Sequence, residues 1–255
     1  MILRRLTKHI KEQNWFAVLL DFFIVVVGIL IAFQITSWNE NRAERAQENR
    51  YLSAMKRDVE SSIRVLNVSI AHLQRQQNAR KALYKFHANT AAELESAELD
   101  KLIADGLFSL ERAVLNHTTF ETLKSSGQVS LIKSSELVRA LQDLSAKIDM
   151  AEVDKNEDFQ FTFRMVDQLL IGEGDFNNTL LHDLGSMHKR LPWITKQPNA
   201  GYSPDLLRSQ RFNNIMLYKT LYGQIRLEGF SSILDQHKLI LSLIDIRQAK
   251  LGVTP

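Results

Sequence analysis

The feature that most constrains this chain is a long apolar run near its amino terminus, from Trp15 to Ile35. Asp21 and Gln34 are the only strongly polar residues among these 21 positions. A helix needs about 20 mostly apolar residues to cross the hydrocarbon core of a bilayer, which is about 30 Å thick. The run therefore predicts a transmembrane helix over residues 15–37, preceded by a short tail at residues 1–14.

Two other kinds of segment can carry such a run. A secretory signal peptide has an apolar core of only about 7 to 15 residues and ends in small residues at its cleavage site. Here the run is longer, and the sequence FQITSW after it offers no clean cleavage site. A buried helix of a soluble protein would not require a basic segment before it. We favour an uncleaved membrane anchor, and both alternatives stay open.

The basic residues of the tail predict how the anchor is oriented. Arg4, Arg5, Lys8 and Lys11 precede the run, and with Glu12 they account for the whole formal net charge of +3. The arginines after the run alternate with glutamates. Because cytoplasmic flanks are enriched in Lys and Arg, we expect the tail to be cytoplasmic and residues 38–255 to lie outside. A nucleic-acid binder would instead carry a basic folded domain, so no nucleic-acid partner is predicted.

Two tryptophans mark the expected edges of the membrane. Trp15 and Trp38 are separated by about 35 Å of helix at about 1.5 Å per residue, the spacing of two interfacial aromatic belts. Asp21 then lies about 9 Å inside the first belt. A carboxylate there costs less than the about 2.5 to 3.5 kcal/mol expected at the helix centre.

One stripe of the span combines this carboxylate with small residues. At 100° per residue, Ala17, Asp21, Gly28, Ala32 and Asn39 lie on the same side of the helix. Small residues four apart let two membrane helices approach closely, and a polar group there can bond across the contact. The stripe predicts a packing face for a second copy or a partner membrane helix. In the alternatives, Asp21 snorkels to the near interface, or it carries protons in a coupled motor.

The sequence beyond the span predicts further helices. Between Gly28 and Gly106 there is neither Gly nor Pro, so the span can continue as one helix. Apolar residues then recur at steps of three and four, which predicts a buried face. We interpret this face as part of a bundle core, with a coiled coil between subunits as the alternative. Its residues are Leu52, Met55, Val59, Ile63, Leu66, Ile70 and Leu73.

Capping and periodicity signals predict the later helices. Thr118 and Glu121 suggest a capping box, and Gly127 is placed to end that short helix in a left-handed conformation. A long helix is predicted from Ser134 to about Ile171. A third is predicted from about Asp205 to Leu251. Its expected apolar faces contain Ile215, Tyr218, Tyr222, Ile225, Phe230, Leu234, Leu241 and Ile244.

The predicted fold class is therefore all-α. It consists of a transmembrane helix that continues into a bundle of about three long helices plus short ones. The segment from Gly172 to Pro204 is too long for an ordinary bundle connection of about 2 to 8 residues. Because it contains Phe176 and Trp193, we expect it to pack as a cap over one end of the bundle.

The motifs of catalysis and cofactor binding are missing from the sequence. There is no cysteine for a disulfide or a thiolate zinc site. His182 and His188 are six residues apart, which does not match helical metal-ligand spacing, and H-E-x-x-H is absent. The phosphate-binding and nucleophile-elbow motifs are also absent. We predict no catalytic residue, no cofactor, no metal and no small-molecule substrate, so the protein is not expected to be an enzyme.

Two longer stretches carry a family resemblance. VVVGILIAFQITSWNENR covers Val25 to Arg42, with its motif from Gly28 to Arg42 and Asp21 seven residues before the glycine, and FETLKSSG covers Phe120 to Gly127. Both resemble motifs of a family of uncharacterised bacterial single-span membrane proteins. Phe120 replaces the tyrosine of that family and so lacks its hydroxyl. The resemblance, which extends along the chain, implies a membrane-anchored helical protein of bacteria and no activity.

Taken with this resemblance, the sequence favours a non-enzymatic single-pass protein of the bacterial inner membrane. Its helical periplasmic domain would bind a partner or scaffold an envelope complex, and the protein would be an oligomer in the lipid bilayer. The alternative is an accessory or stator-type subunit of a proton-driven complex that uses Asp21, although such subunits carry different outer domains. An envelope hydrolase is a third hypothesis, for which no constellation of catalytic residues exists.

Overall fold

The structure, a computed structural model, describes residues 15–89, 95–109, 111, 113–184, 191–198 and 201–252. The tail residues Arg4, Arg5, Lys8 and Lys11 lie outside this part of the chain. All regular secondary structure in the described residues is helical, which confirms the all-α class. Contacts divide the chain into two units, Met1–Tyr51 and Leu52–Pro255. The predicted domain boundary at residues 37 and 38 concerns the membrane surface and stays a prediction.

The first helix, α1, extends over Trp15–Ala88, a total of 74 residues. It has no internal Gly after Gly28 and no Pro, so nothing in its sequence interrupts the helix. Its apolar stretch has a mean hydropathy of 2.5 over 18 residues, and none of that stretch is buried. By length and composition this stretch fits a membrane span or a signal sequence.

The second unit contains the remaining helices. We number them α2 (Ser96–Ile103), α3 (Thr118–Ser125), α4 (Ser135–Phe161), α5 (Asp167–Gly172), α6 (Asn177–Leu184), α7 (Pro204–Leu207) and α8 (Gln210–Lys250). Two π-helical turns, Ala104–Phe108 and Thr162–Val166, extend α2 and connect α4 to α5. A short 3₁₀ turn, Val129–Leu131, precedes α4. Helices α4 and α8 pack extensively against each other.

The apolar stripe of α1 forms part of the bundle core, as predicted. Leu52, Met55, Val59, Leu66 and Leu73 are buried, and the two isoleucines of the stripe are half-buried. At the far end of α1, Leu83 and Phe86 join a cluster with Ile103, Leu107, Leu169, Leu170, Leu207 and Phe212. Full burial of such a side chain stabilises the fold by about 1.5 to 3 kcal/mol.

Helix ends follow local capping chemistry, with one error in the prediction. Ser134 caps α4 by accepting a hydrogen bond from the Leu137 amide at 3.2 Å. Gly127 adopts a φ of 71° just after α3, as expected. The capping box at Thr118 is wrong, because Thr118 lies in the first turn and the N-cap position is His117, whose side chain makes no capping hydrogen bond. The Thr118 amide and hydroxyl instead donate to Asn116 Oδ1 at 3.2 and 3.0 Å.

The predicted helix from Asp205 to Leu251 is in fact two helices. Ser209 has an extended backbone conformation between α7 and α8, and its hydroxyl accepts a hydrogen bond from the Phe212 amide. Serine is a strong N-cap residue, so it favours a new helix start over a continuous helix. The predicted apolar faces of this helix are also partly wrong, since Tyr218 is 52% exposed and Ile225 is 38% exposed.

The segment between α5 and α8 is packed only in part. Phe176 meets Phe108 edge to face, with 4.6 Å between ring centroids. Trp193 is 73% exposed, so its expected role in a packed cap is wrong. The buried aromatic side chain of this segment is Tyr202, which joins the apolar cluster at the end of α1.

Candidate functional site: a buried ionic network

Helix α8 turns an unusual set of residues toward the core. Its buried positions alternate in steps of four and three residues, which is the spacing of a coiled-coil seam. Three consecutive seam positions carry Lys219, Gly223 and Arg226 where apolar residues are expected. The seam comprises Phe212, Met216, Lys219, Gly223, Arg226, Phe230, Ile233, His237, Ile240 and Ile244.

Helix α1 places a polar row in the same core. Ser62, Ser69 and Gln76 follow one another at seven-residue intervals and are all buried, and Arg80 follows one turn later. This row lies beside the apolar row that contains Leu66 and Leu73, because residues three and four apart share a helix face. The two central helices therefore bring polar side chains into the middle of the bundle.

Asp158 of α4 is the central anion of the network. Its Oδ1 accepts a hydrogen bond from Lys219 Nζ, and its Oδ2 accepts one from Arg226 Nη1 at 2.8 Å. The same ammonium group donates to Thr162 Oγ1 at 2.9 Å. Asp158, Lys219 and Arg226 are each no more than 2% exposed. The carboxylate thus pairs with two cations of α8 in an environment that excludes water.

Glu111 supplies the second anion. Arg226 Nη2 donates to the Glu111 carbonyl at 3.0 Å and to its Oε2 at 3.2 Å. Ser69 of α1 donates its hydroxyl to Glu111 Oε1 at 2.6 Å. Arg226 therefore connects α8 both to α4, through Asp158, and to the segment before α3, through Glu111.

Arg80 is buried without a carboxylate partner among the described residues. Its Nε donates to the Gly106 carbonyl at 2.6 Å, and its terminal nitrogens donate to Gln77 and Gln76 at 3.0 and 3.1 Å. Burial lowers the pKa of Arg80 to about 10. Gly223 makes the space for this side chain, since a Cβ atom at that position would lie 2.0 Å from Arg80 Nη1.

The network holds more positive than negative charge. Three cations, Arg80, Lys219 and Arg226, face two carboxylates, Asp158 and Glu111, in the part of the chain that the structure describes. The pKa of Lys219 is lowered to about 8, chiefly by burial and also by Arg80 and Arg226, while Asp158 opposes the shift. Lys219 is therefore the cation that loses its proton first when the pH rises.

Both π-helical turns contribute to this network. The turn Ala104–Phe108 supplies the Gly106 carbonyl that receives Arg80, and the turn Thr162–Val166 begins with the threonine that receives Lys219. The Thr162 hydroxyl also donates back to the Asp158 carbonyl at 2.8 Å. Such turns occur often at functional sites because they displace one residue from regular helical bonding.

The network fixes the packing of several elements relative to one another. Removing one partner from a buried ion pair typically costs about 3 to 5 kcal/mol, so alternative packings of α1, α4 and α8 are penalised. Within the described ranges, no three His, Asp or Glu side chains are grouped so as to hold a metal ion. The expected absence of an enzyme activity stays a prediction.

The residues singled out in the sequence lie on the first part of α1 and are not members of this network. Asp21, Gly28, Ala32 and Asn39 are exposed, and a Cβ atom at Gly28 would meet no other group within 4 Å. Trp38 is also exposed, and the Arg42 guanidinium lies 5.7 Å from the centre of its ring. The side chains of Trp15 and Ala17 lie outside the described part. The packing face and the aromatic belts stay predictions.

A comparison with protein families decides where the chain belongs. A family model described as a family of unknown function (DUF6090) matches residues 21–189. The chain belongs to DUF6090. The match begins at Asp21 and contains both stretches on which the resemblance rests. It ends before α8, so the family match includes Glu111 and Asp158 but not Lys219, Gly223 or Arg226. No curated protein and no solved structure matches this DUF6090 chain.

The sequence contained one signal for the network that apolar periodicity overlooks. Lys219 and Arg226 are seven residues apart, and so are the neighbours Ser62, Ser69 and Gln76. A heptad pattern that admits polar residues at core positions would have found both rows. Glu111 has no comparable signal, because it lies outside the regular helices of this DUF6090 protein.

Proposed function

We propose that this protein is a non-enzymatic, single-pass membrane protein whose helical bundle binds a partner or scaffolds a complex. The observation that carries the anchor is the exposure of large apolar side chains along the first part of α1. Each would gain about 1.5 to 3 kcal/mol on leaving water, so a lipid bilayer suits this surface. These residues are Leu19, Leu20, Phe22, Phe23, Ile24, Val25, Ile29, Leu30, Ile31, Phe33, Ile35 and Trp38.

In this proposal the protein lies in the bacterial inner membrane. Its amino-terminal tail is cytoplasmic and its bundle is periplasmic. The four basic residues of the tail support this orientation, because Lys and Arg are retained on the cytoplasmic side. The resemblance to bacterial single-span proteins supports the choice of membrane.

Two features of the bundle support an interaction role. The buried ionic network holds the helices in one arrangement, which suits a surface that must keep a fixed shape. The outer face of α8 exposes Leu217, Tyr218, Leu221 and Ile225 close together along the helix. Exposed apolar groups of this kind are typical of protein contact surfaces. The partner is a second copy of the chain or another envelope protein.

The test combines extraction with a topology reporter. We expect the full-length protein to stay in the membrane pellet after alkaline carbonate washing and to keep its amino terminus. A reporter that is active only in the periplasm should work when fused after Pro255. A matched variant with Arg4, Arg5, Lys8 and Lys11 changed to Asn should lose this orientation in a fraction of molecules.

Several outcomes would contradict the proposal. A mature chain that starts near Ser37 would mean that the apolar run is a cleaved signal. Recovery of the intact chain in the soluble fraction would mean that it is no anchor. A bundle that purifies as a monomer from mildly solubilised membranes, with no co-purifying protein, would remove the interaction role.

A further inference from the structure

A small cavity beside α3 is lined by two histidines, of which His237 is fully buried and His117 is half-buried. It lies between α1, the segment before α3, α3 itself, α4 and α8, and its volume is about 20 Å³. A space of that size holds one water-sized group. Its wall is mostly apolar and includes Met55, Val59, Phe120, Leu141, Leu144 and Ile148, and His117 and His237 also line it.

Each histidine has a ring nitrogen that is buried without a hydrogen-bond partner. His237 is fully buried, and its Nδ1 lies 2.8 Å from the Ile233 carbonyl. A carbonyl only accepts, so Nδ1 carries the proton and Nε2 presents a bare lone pair. No described group bonds to His237 Nε2 or to His117 Nδ1. The cavity therefore contains one ring nitrogen, His237 Nε2, whose lone pair can take up a proton.

The carboxylates around the cavity are already engaged. Asp58 of α1 accepts from the amide and hydroxyl of Thr119 at 2.9 and 2.6 Å. Glu121 of α3 accepts from Ser145 Oγ at 3.4 Å and lies 3.6 Å from the Lys124 ammonium. Helix α4 adds no charged side chain to the wall, and α8 adds only His237. Neither carboxylate is hydrogen-bonded to His237, whose bonded ring nitrogen, Nδ1, faces the Ile233 carbonyl, so a second proton on the ring would have no acceptor already in place.

We propose that the His117–His237 cavity is an acid-sensitive joint, at which proton uptake by His237 loosens the attachment of residues 113–125 to α4 and α8. A proton from solvent adds to the Nε2 lone pair, and the resulting cation faces the apolar wall and the neighbouring His117. Opening admits water to the cation and exposes Phe120 and its apolar neighbours. The inference concerns the bundle alone and goes beyond the proposed anchor and interaction role.

The direction of the pH effect follows from the ionisation of His237. Burial lowers the pKa of His237 below its usual value, and His117 lowers it further. The unfolded chain therefore binds a proton at a higher pH than the folded chain does. Stability contributed by neutral His237 is complete above the usual histidine pKa of about 6.5 and is lost as the pH falls from that value through the lower pKa of the folded chain.

Hydrogen exchange on the full-length protein in detergent tests this joint. Exchange is measured by mass spectrometry at pH 7.5 and 5.5, with times corrected for intrinsic amide exchange. Peptides that contain residues 113–125 and 230–241 should exchange several-fold faster at pH 5.5. Peptides from residues 99–107, which lie in the apolar cluster at the end of α1, should not change.

Matched variants separate His237 from other histidines. His237→Phe keeps an aromatic ring of similar size and cannot titrate, so the acid response should disappear. If the His237→Phe protein does not fold, His237→Gln takes its place. His182→Gln changes a histidine near the surface and should keep the full response. Unchanged exchange in the native protein, equal acceleration of all peptides, or a persistent response in His237→Phe would overturn the proposal.

Discussion

Replacing Gly223 of α8 by a residue as small as alanine should lower the stability of the bundle. Changing a helical glycine to alanine normally stabilises a helix by about 0.8 to 1 kcal/mol. At Gly223 the new methyl group would lie 2.0 Å from Arg80 Nη1 and 3.1 Å from its Cζ. The guanidinium cannot retreat, because three acceptors hold it inside the core.

The expected magnitude follows from the hydrogen bonds that Arg80 would lose. Hydrogen bonds from a charged group contribute about 1.5 to 3 kcal/mol each, and moving the guanidinium breaks at least two of them. After subtracting the gain in helix propensity, Gly223→Ala should lower the free energy of unfolding by about 2 to 5 kcal/mol. For a domain of this size, that change corresponds to about 4 to 20 °C in the unfolding midpoint.

The same helix offers a matched control. A Cβ atom at Gly229 would meet nothing within 4 Å, so Gly229→Ala should raise the unfolding midpoint slightly. Both variants and the native protein are compared by circular dichroism during heating, in one detergent. In an Arg80→Met background, Gly223→Ala should lower the unfolding midpoint clearly less than in the native protein, because the guanidinium that the new methyl group would meet is absent. If Gly223→Ala melts at or above the native midpoint, the packing argument for Arg80 is refuted.

Three further predictions address the network and the span. The lowered pKa of Lys219 makes the folded chain bind fewer protons than the unfolded chain, so the free energy of unfolding should rise between about pH 8 and 10. In urea unfolding at a series of pH values, Lys219→Met should flatten that rise. Asp158→Asn should lower the free energy of unfolding by about 3 to 5 kcal/mol in the same assay, because it breaks a buried ion pair. A comparable loss in Asp235→Asn, whose ion pair is exposed, would argue against a special role for burial. Gly28→Leu should weaken self-association in liposomes more than Val26→Leu does. Self-association is measured by energy transfer between labelled copies, and equal effects of the two variants would count against the packing face.

Local signals in the sequence were enough to predict the long helices and the short helix α3. The cap at Ser134 and the positive φ of Gly127 depend only on nearby residues, so sequence patterns identify them. The apolar stripe of α1 likewise follows from spacing within one helix. The break at Ser209 could have been predicted from the same capping chemistry, but the apolar spacing beyond it favoured one long helix.

The ionic network could not be predicted in this way, because its partners are distant in sequence. Lys219 meets Asp158 across 61 positions, and Arg226 meets Glu111 across 115. Until those partners are known, a lysine at a helix position is expected on the surface. Apolar spacing alone consequently assigned Tyr218 and Ile225 to the core and their charged neighbours to the surface.

The pairing of α1 with α8 has a consequence for biosynthesis. Lys56 bonds to Asp245 at 2.7 Å, and Gln248 bonds to Ser53 at 3.0 Å, although 189 and 195 positions separate these partners in sequence. At a translation rate of about 5 to 20 residues per second, α8 is made roughly 10 to 40 s after the part of α1 that it covers. During that interval the apolar row of α1 is not packed against α8. The nascent chain is therefore expected to need a chaperone that holds this surface, and to aggregate without one.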